Sequence, residues 1–279
     1  KKRTRGRPSK QPILVRLFRP LQIFFIRIFP SPVRITILIV VLFGIFLTYS
    51  TGLVFVAHQL PSPQNLTSSN SPLTTQIFDR NGVLLYRIYD GKNRSLVKID
   101  AIPSDLVNAT IAIEDKNFWA HPGVDLYGIT RAGLNFFKGG DLQGGSTITQ
   151  QLIKNTLLTP ERTWQRKLKE VVLAFWAERI FSKKDILQMY FNEVPYGGPT
   201  WGVAAAAETY FHKDVSQLNL AESTYLAGLP VSPTTFSPYG SHPEMAKNRQ
   251  KEVLRRMVEE GYITQIGRAS CRERVSSPV

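Results

Sequence analysis

Three short stretches of this 279-residue chain hold the residue types from which a group-transfer site can be built. In the first, an Ile- and Ala-rich run ends at Glu114-Asp115 and continues through Lys116-Asn117-Phe118-Trp119-Ala120-His121-Pro122-Gly123. A carboxylate at the rim of an apolar helix is partly desolvated, which raises its pKa toward the range useful for proton transfer. Glu114 is therefore a candidate general acid or base; the plainer alternative is a helix-terminal acid paired with Lys116. The second stretch is Gly144-Gly145-Ser146-Thr147-Ile148-Thr149-Gln150-Gln151-Leu152-Ile153-Lys154-Asn155. Thr147 and Gln150 have the spacing of a capping box that opens a helix, so free backbone N–H groups and Lys154 could gather around an anion, a phosphate being the natural guest. Gly139 and Gly144 have the P-loop spacing, but Gly145 stands where the P-loop lysine would be and no strand precedes it, which argues against nucleotide hydrolysis.

The third stretch is Arg166-Lys167-Leu168-Lys169-Glu170. With Leu168 as the zero of helical phase, Val171, Val172 and Phe175 fall within about 60° of it, the stripe expected to face the core. Arg166 and Glu170 point near ~160° and ~200°, where Leu173 and Ala177 follow a turn later. Glu170 and its cations are thus expected where a polar patch meets apolar surface, as on a cleft wall. A solvated i,i+4 Arg–Glu pair, worth ~0.3–0.5 kcal/mol, is the alternative.

The elements that must position these residues are mostly helical. Ser104 is a good N-cap for a helix running to Glu114, and further helical periods cover 125–138, 147–158, 164–181, 184–191, 203–211, 219–227 and 243–260. Before them, apolar runs flank Asn81-Gly82, a strong hairpin signal, and this small β element is expected to pack on the helices after it. So many short helices with so little strand signal predict a mainly α domain.

Charge is concentrated at the N-terminal end. Of a net +14, ten cations precede residue 35, and the first acid in the chain is Asp79. Residues 35–57 carry no charge and exceed the ~20 apolar residues that cross a bilayer as a helix. Cations before the span and none close behind it predict an N-terminus in the cytoplasm and the rest of the chain outside. The expected organisation is a basic tail at 1–34, a transmembrane helix at 35–57, a Ser/Thr/Pro-rich linker at 58–76, a catalytic domain at 77–264 and a tail at 265–279 outside the fold. Arg5-Gly6-Arg7-Pro8 resembles a minor-groove hook, but beside a span anionic headgroups explain it more cheaply, so no nucleic-acid partner is expected. Arg16, Arg19, Arg27 and Arg34 could share one face of an in-plane helix, which Pro20 and Pro30 would break. One cysteine, Cys271, excludes an intramolecular disulfide framework and, with four scattered His, argues against structural zinc.

Together the motifs carry a resemblance. Glu114-Asp115-x-x-Phe118-x-x-His121-x-Gly123, the Gly144–Asn155 run, Arg166-Lys167-x-x-Glu170 and Ile186-Leu187-x-x-Tyr190-x-Asn192 resemble, in order, four motifs of the peptidoglycan glycosyltransferases, the transglycosylase domains of class A penicillin-binding proteins and their monofunctional relatives. The resemblance spans roughly residues 76–264. It implies a lysozyme-like, mainly α glycosyltransferase fold with a small β-hairpin element, behind one transmembrane helix in the bacterial cytoplasmic membrane. It further implies that lipid II is polymerised into glycan strands, with inversion and release of undecaprenyl pyrophosphate.

By motif position Glu114 would be the base, Ser146, Gln150, Lys154, Arg166 and Lys167 would bind donor diphosphate and sugar, and Glu170 would orient the donor or a divalent cation. No cofactor is obligatory in this reading, though magnesium or manganese could sit at the pyrophosphate. The expected partners are lipid II, the growing strand, the membrane and other cell-wall synthesis proteins. Asp115 and His121 are read as architectural. Leu126, Leu134, Phe136, Phe137 and Lys138 are candidates for a leaflet contact, or else core. Ser95-x-x-Lys98 formally matches an acylating motif, but no Lys-Thr-Gly follows, and the change at Gln265 suggests a piece of a bifunctional protein. A lytic transglycosylase or muramidase of the same fold class, or a membrane-anchored glycan-binding scaffold, are the alternatives.

Overall fold

A computed structural model describes residues 31–58, 60–67, 74–82, 84–125, 127–128, 145–159, 161, 163–236, 243–265, 267 and 269. The in-plane helix expected before residue 31, nearly all of the 125–138 helix with its leaflet candidates, and most of the 265–279 tail fall outside these residues. The chain forms two compact units, residues 1–60 and 61–279.

The first unit contains α1 (Ser31–His58), whose window Ile35–Gly52 has a mean hydropathy of 2.1 and no buried residue. It is the one helix among the described residues long and apolar enough to cross a membrane. Two of its threonines satisfy their hydroxyls within the helix: Thr48 donates to the Gly44 carbonyl at 3.0 Å and Thr51 to that of Leu47 at 2.9 Å.

The second unit opens with a 3-10 turn, Pro63–Leu66, whose Pro63 and Leu66 are buried, so the stretch expected to be a linker contains an ordered turn. Strands β1 (Thr75–Phe78) and β2 (Leu84–Ile88) pair antiparallel, Thr75 opposite Ile88 and Phe78 opposite Leu84, with a bulge after Ile77. The turn between them uses Asp79 to hold the Asn81 N–H at 2.8 Å, and Gly82 takes φ +80°. Contrary to expectation, this hairpin buries little of its apolar surface: Ile77, Phe78, Leu85, Tyr86 and Ile88 are all exposed. Arg87 reaches Glu208 at 3.1 Å. A second sheet joins β3 (Asn93–Arg94), β5 (Thr200–Trp201) and β4 (Pro195–Gly197) in the order β3-β5-β4, parallel then antiparallel.

The helices carry the core. They are α2 (Ser104–Glu114), α3 (Ile148–Thr156), α4 (Trp164–Ile180), α5 (Lys183–Glu193), α6 (Val203–Phe211), α7 (Leu220–Gly228) and α8 (Pro243–Glu259). Helix α2 packs on α7 and α8, while α3 packs on α4 and α5. Phe118, Leu106, Ile148, Leu173, Tyr190 and Phe191 are almost wholly removed from water, each contributing about 1.5–3 kcal/mol of apolar burial. The Thr147–Gln150 capping box at α3 forms as the spacing predicts, and Ser182 and Asn219 cap α5 and α7 in the same way. Helix α2, by contrast, is capped at Pro103 without a side-chain bond, so Ser104 is its first residue and not its cap.

Gly123 shows why this spacing tolerates no side chain. Its φ is +88°, and a Cβ there would lie 2.6 Å from the Ala174 carbonyl oxygen of α4. Its own carbonyl accepts from the Thr147 hydroxyl at 2.6 Å, so one residue seats both α3 and α4. Gly123→Ala should lower stability by more than ~1 kcal/mol through strain and displacement of α4, read as a fall in thermal melting temperature; an unchanged melt would show that the backbone there can give.

Candidate active site

Glu114 ends α2 and turns into an open cleft of about 490 Å³ whose walls include Ser146, Gln151, Lys154, Arg249 and Arg256. Its side chain is 6% exposed. The Gln151 amide donates to Oε2 at 2.7 Å, and the Arg249 guanidinium lies 3.4 Å from Oε1. Burial lifts the Glu114 carboxyl above the ordinary glutamate value of 4.5, opposed by the Gln151 hydrogen bond and then by the charges of Arg249 and Lys154. Lys116, the partner an ordinary terminal acid would take, pairs with Glu260 at 3.1 Å instead. The alternative reading of Glu114 therefore loses its partner.

The neighbouring acid has the other task. Asp115 accepts from the backbone N–H of Ile148 at 3.0 Å and from His121 Nε2 at 2.8 Å, all three groups buried. It thereby ties the end of α2 to the start of α3, which sets Gln151 and Lys154 against Glu114. His121, expected with Asp115 to be architectural, is held in this junction by the same carboxylate.

Beside this cleft lies a cluster of charges on α4. Glu170 is 2% exposed; Arg166 donates to its Oε1, and Lys167 to its Oε2 at 2.9 Å. Lys167 also donates to the Ser146 hydroxyl at 2.7 Å, joining α4 to the residue that precedes the α3 cap. Lys154 feels both acids: partial burial holds its ammonium below 10.5, offset first by attraction to Glu170, with Glu114 also attracting and Arg166 and Lys167 repelling. The residue as a whole stays accessible at the cleft rim. Ser146, Lys154, Arg166, Lys167 and Glu170 thus come together.

Gln150 does not join them. Its carboxamide oxygen accepts from the Thr147 N–H at 3.1 Å to complete the capping box, and the side chain is 1% exposed. The residue after it, Gln151, is the one that faces the cleft and holds Glu114. Arg249 and Arg256, on α8, carry no signal in the sequence; they lie more than a hundred residues from Glu114 in an amphipathic helix whose cations resemble any solvated face.

The predicted phase of α4 is reversed in the structure. Glu170, Leu173, Ala174 and Ala177 are its buried residues, whereas Leu168, Val172 and Phe175, expected as core, are exposed. Apolar residues occur on both faces of this helix, so the pattern alone does not select the inward one. Small Ala174 and Ala177 permit close approach to Gly123 and α3, which larger residues would prevent.

A metal ion would find few free donors here. Both oxygens of Glu170 are engaged by cations, and among the described residues no group of three or more His, Cys, Asp or Glu converges. The donor set at Glu170 does not fit a protein-held metal.

A mainly helical unit thus holds a desolvated carboxylate in one cleft with a serine and a lysine, beside the Arg166–Lys167–Glu170 cluster. The chain belongs to the transglycosylase family, whose profile matches residues 81–258. It is 44% identical over 232 residues to penicillin-binding protein 1A of Aquifex aeolicus, covering 81% of this chain and 32% of that protein. It is 45% identical over 212 residues to penicillin-binding protein 1A of Escherichia coli, covering 76% and 25%. A solved penicillin-binding protein 1A from Haemophilus influenzae aligns over 74% of this chain and 20% of its own at 23% identity, with a TM-score of 0.41. The chain spans a third or less of the length of the curated relatives it matches.

The raised pKa of Glu114 has a pH signature. A base must be ionised to work, so kcat/KM should fall on acidification through a pKa above 4.5. Because the folded pKa exceeds the unfolded one, the folded state holds the extra proton between the two values, and this group's contribution to stability declines as pH rises through that window. A pH–rate profile with an acid limb at or below 4.5, or one retained in Glu114→Gln, would contradict the assignment.

Proposed function

We propose that this unit is a peptidoglycan glycosyltransferase that polymerises lipid II into glycan strands in cell-wall synthesis. The observation that carries the reading is that Glu114 lies in one cleft with Ser146 and Lys154, Ser146 accepting a hydrogen bond from Lys167 and Lys154 attracted to Glu170. Glu114 removes the proton from the incoming sugar hydroxyl. The oxygen forms a bond to the anomeric carbon of the growing strand, the bond from that carbon to the lipid pyrophosphate breaks with inversion, and the electron pair leaves on the pyrophosphate. Lys154, Arg166 and Lys167 neutralise the charge that develops there. Glu170 keeps the two α4 cations in place, and Gln151 and Arg249 orient the Glu114 carboxylate.

The proposed layout has residues 1–34 in the cytoplasm, 35–57 across the bacterial cytoplasmic membrane, and the catalytic unit, through about residue 264, on the outer face, where lipid II and the strand are reached. The excess of cations ahead of α1 supports this orientation. The test is incubation of the detergent-solubilised chain with fluorescent lipid II, products being resolved on a gel. A ladder of lengthening strands is expected. Shortening of finished glycan would identify a lytic enzyme, and binding without product would identify a scaffold.

A further inference from the structure

Helix α4 carries Arg166, Lys167 and Glu170 in its first two turns and a second buried acid, Glu178, about 12 Å farther along at 1.5 Å per residue. The chemistry derived above makes no use of it. Its side chain is 5% exposed, and its carboxylate is engaged by the protein's own donors. The Thr149 hydroxyl donates to Oε1 at 2.6 Å; the Lys183 ammonium donates to the same oxygen at 2.8 Å and lies 2.7 Å from Oε2. Thr149, the second residue of α3, is wholly buried. Lys183, the first residue of α5, also donates to the His121 carbonyl at 2.7 Å and sits 4.4 Å from the centroid of the Phe118 ring. One carboxylate therefore joins α3, α4, α5 and the loop that follows Glu114.

We propose that Glu178 is a positioning residue for glycosyl transfer: by holding Thr149 and Lys183 it fixes α4 on α3, and so keeps Arg166 and Lys167 where the leaving pyrophosphate needs them. The inference rests on the function proposed above. At the cleft, α4 is tied to the segment before α3 through Lys167, whose side chain is 46% exposed and which donates to Ser146 at 2.7 Å. In the reaction that ammonium turns toward the charge developing on the pyrophosphate. Its bond to Ser146 weakens at the step in which α4 must not move.

The helix must then be held from outside the cleft. The close approach of Gly123 to the Ala174 carbonyl supplies one point, about which α4 could still pivot. The bond from Thr149 to Glu178 supplies a second, one turn farther along. It is charge-assisted and buried, so water does not compete for it and substrate does not displace it.

The test compares three variants of the detergent-solubilised full chain. Thr149→Val keeps the shape and removes the hydroxyl, Thr149→Ser keeps the hydroxyl, and Glu178→Gln removes the charge that holds Lys183. With fluorescent lipid II, Thr149→Val should lower kcat/KM by about 10–100-fold, the loss expected when reacting groups shift by about an ångström. Both kcat and KM should change, because displaced cations serve bound substrate and transition state alike. Thr149→Ser should recover most of the loss, and Glu178→Gln should lose at least as much as Thr149→Val. Parental kcat/KM in Thr149→Val would overturn the proposal. A lower kcat at parental KM would overturn it too, since it would mean only that fewer molecules are folded. Hydrogen exchange without substrate gives a readout independent of turnover: amides at 168–174 of α4 should exchange about tenfold faster in Thr149→Val, and those of α8 at the parental rate. Acceleration spread over the whole chain, or none, would overturn the proposal. If the parent itself builds no strands, the proposed function fails, while the exchange result still decides whether Glu178 holds α4 in place.

Discussion

Glu114→Gln should reduce turnover by about 10²–10⁴, the range lost with a general base, while binding of a labelled lipid II analogue stays near the parental value. The glutamine keeps the shape and can still accept from Gln151, which reaches the carboxylate at 2.7 Å, but it cannot take up a proton at neutral pH. Its folding should not suffer. The carboxylate is desolvated and held above its ordinary pKa, so the ionised form is a cost to the folded state at pH 7. The variant should melt no lower than the parent, because the Arg249 side chain, 3.4 Å away and 22% exposed, stays within reach of solvent when its charged partner is removed. Near-parental turnover would refute the base assignment; lost turnover with lost binding would make Glu114 a binding residue.

Glu170→Gln should fail differently. This acid is 2% exposed and satisfies Arg166 through one oxygen and Lys167 through the other. Breaking a fully buried pair costs about 3–5 kcal/mol, but the Lys167 side chain is 46% exposed, so solvation of the released cation reduces the loss to about 1–3 kcal/mol. The larger effect is on geometry. Lys167 is the link to Ser146, and a carboxamide cannot hold two cations, so both charges leave the position the pyrophosphate needs. Turnover should fall by about 10² or more, as when one preorganised charge-stabilising group is lost, and analogue binding should weaken with it. Added magnesium or manganese, neutralising the pyrophosphate in place of the displaced cations, should restore part of the Glu170→Gln rate and none of the Glu114→Gln rate. Equal metal responses in the two variants would remove the role assigned to Glu170.

Much of the fold and site is legible in the sequence wherever a local rule decides the outcome. The Thr147–Gln150 capping box, the helix to Glu114 and the uncharged run of α1 follow from spacing and chemistry within a few residues, whereas the grouping of Ser146, Lys154, Arg166, Lys167 and Glu170 is legible through the motif resemblance. What is not legible depends on contacts between distant segments. The inward face of α4 is set by Gly123 and α3, not by its own apolar count, and so the stripe at Leu168, Val172 and Phe175 reads as core in the sequence alone. Arg249 and Lys116 find their acids across more than a hundred residues of chain, Glu114 and Glu260 respectively. Gln150 and Gln151 are chemically alike, and only the geometry of the cap shows that the first is spent on the backbone while the second faces the cleft. The apolar residues of the hairpin promise packing that β1 and β2 do not make.

The most direct test of the central claim is the stoichiometry of a single-turnover reaction on doubly labelled lipid II, counting glycosidic bonds and released undecaprenyl pyrophosphate together. One pyrophosphate-linked lipid released for each new inverted glycosidic bond, with both signals lost in Glu114→Gln, is the predicted result. Lipid release without a new bond, or bond formation that survives Glu114→Gln, would contradict the claim that Glu114 drives glycosyl transfer in this cleft.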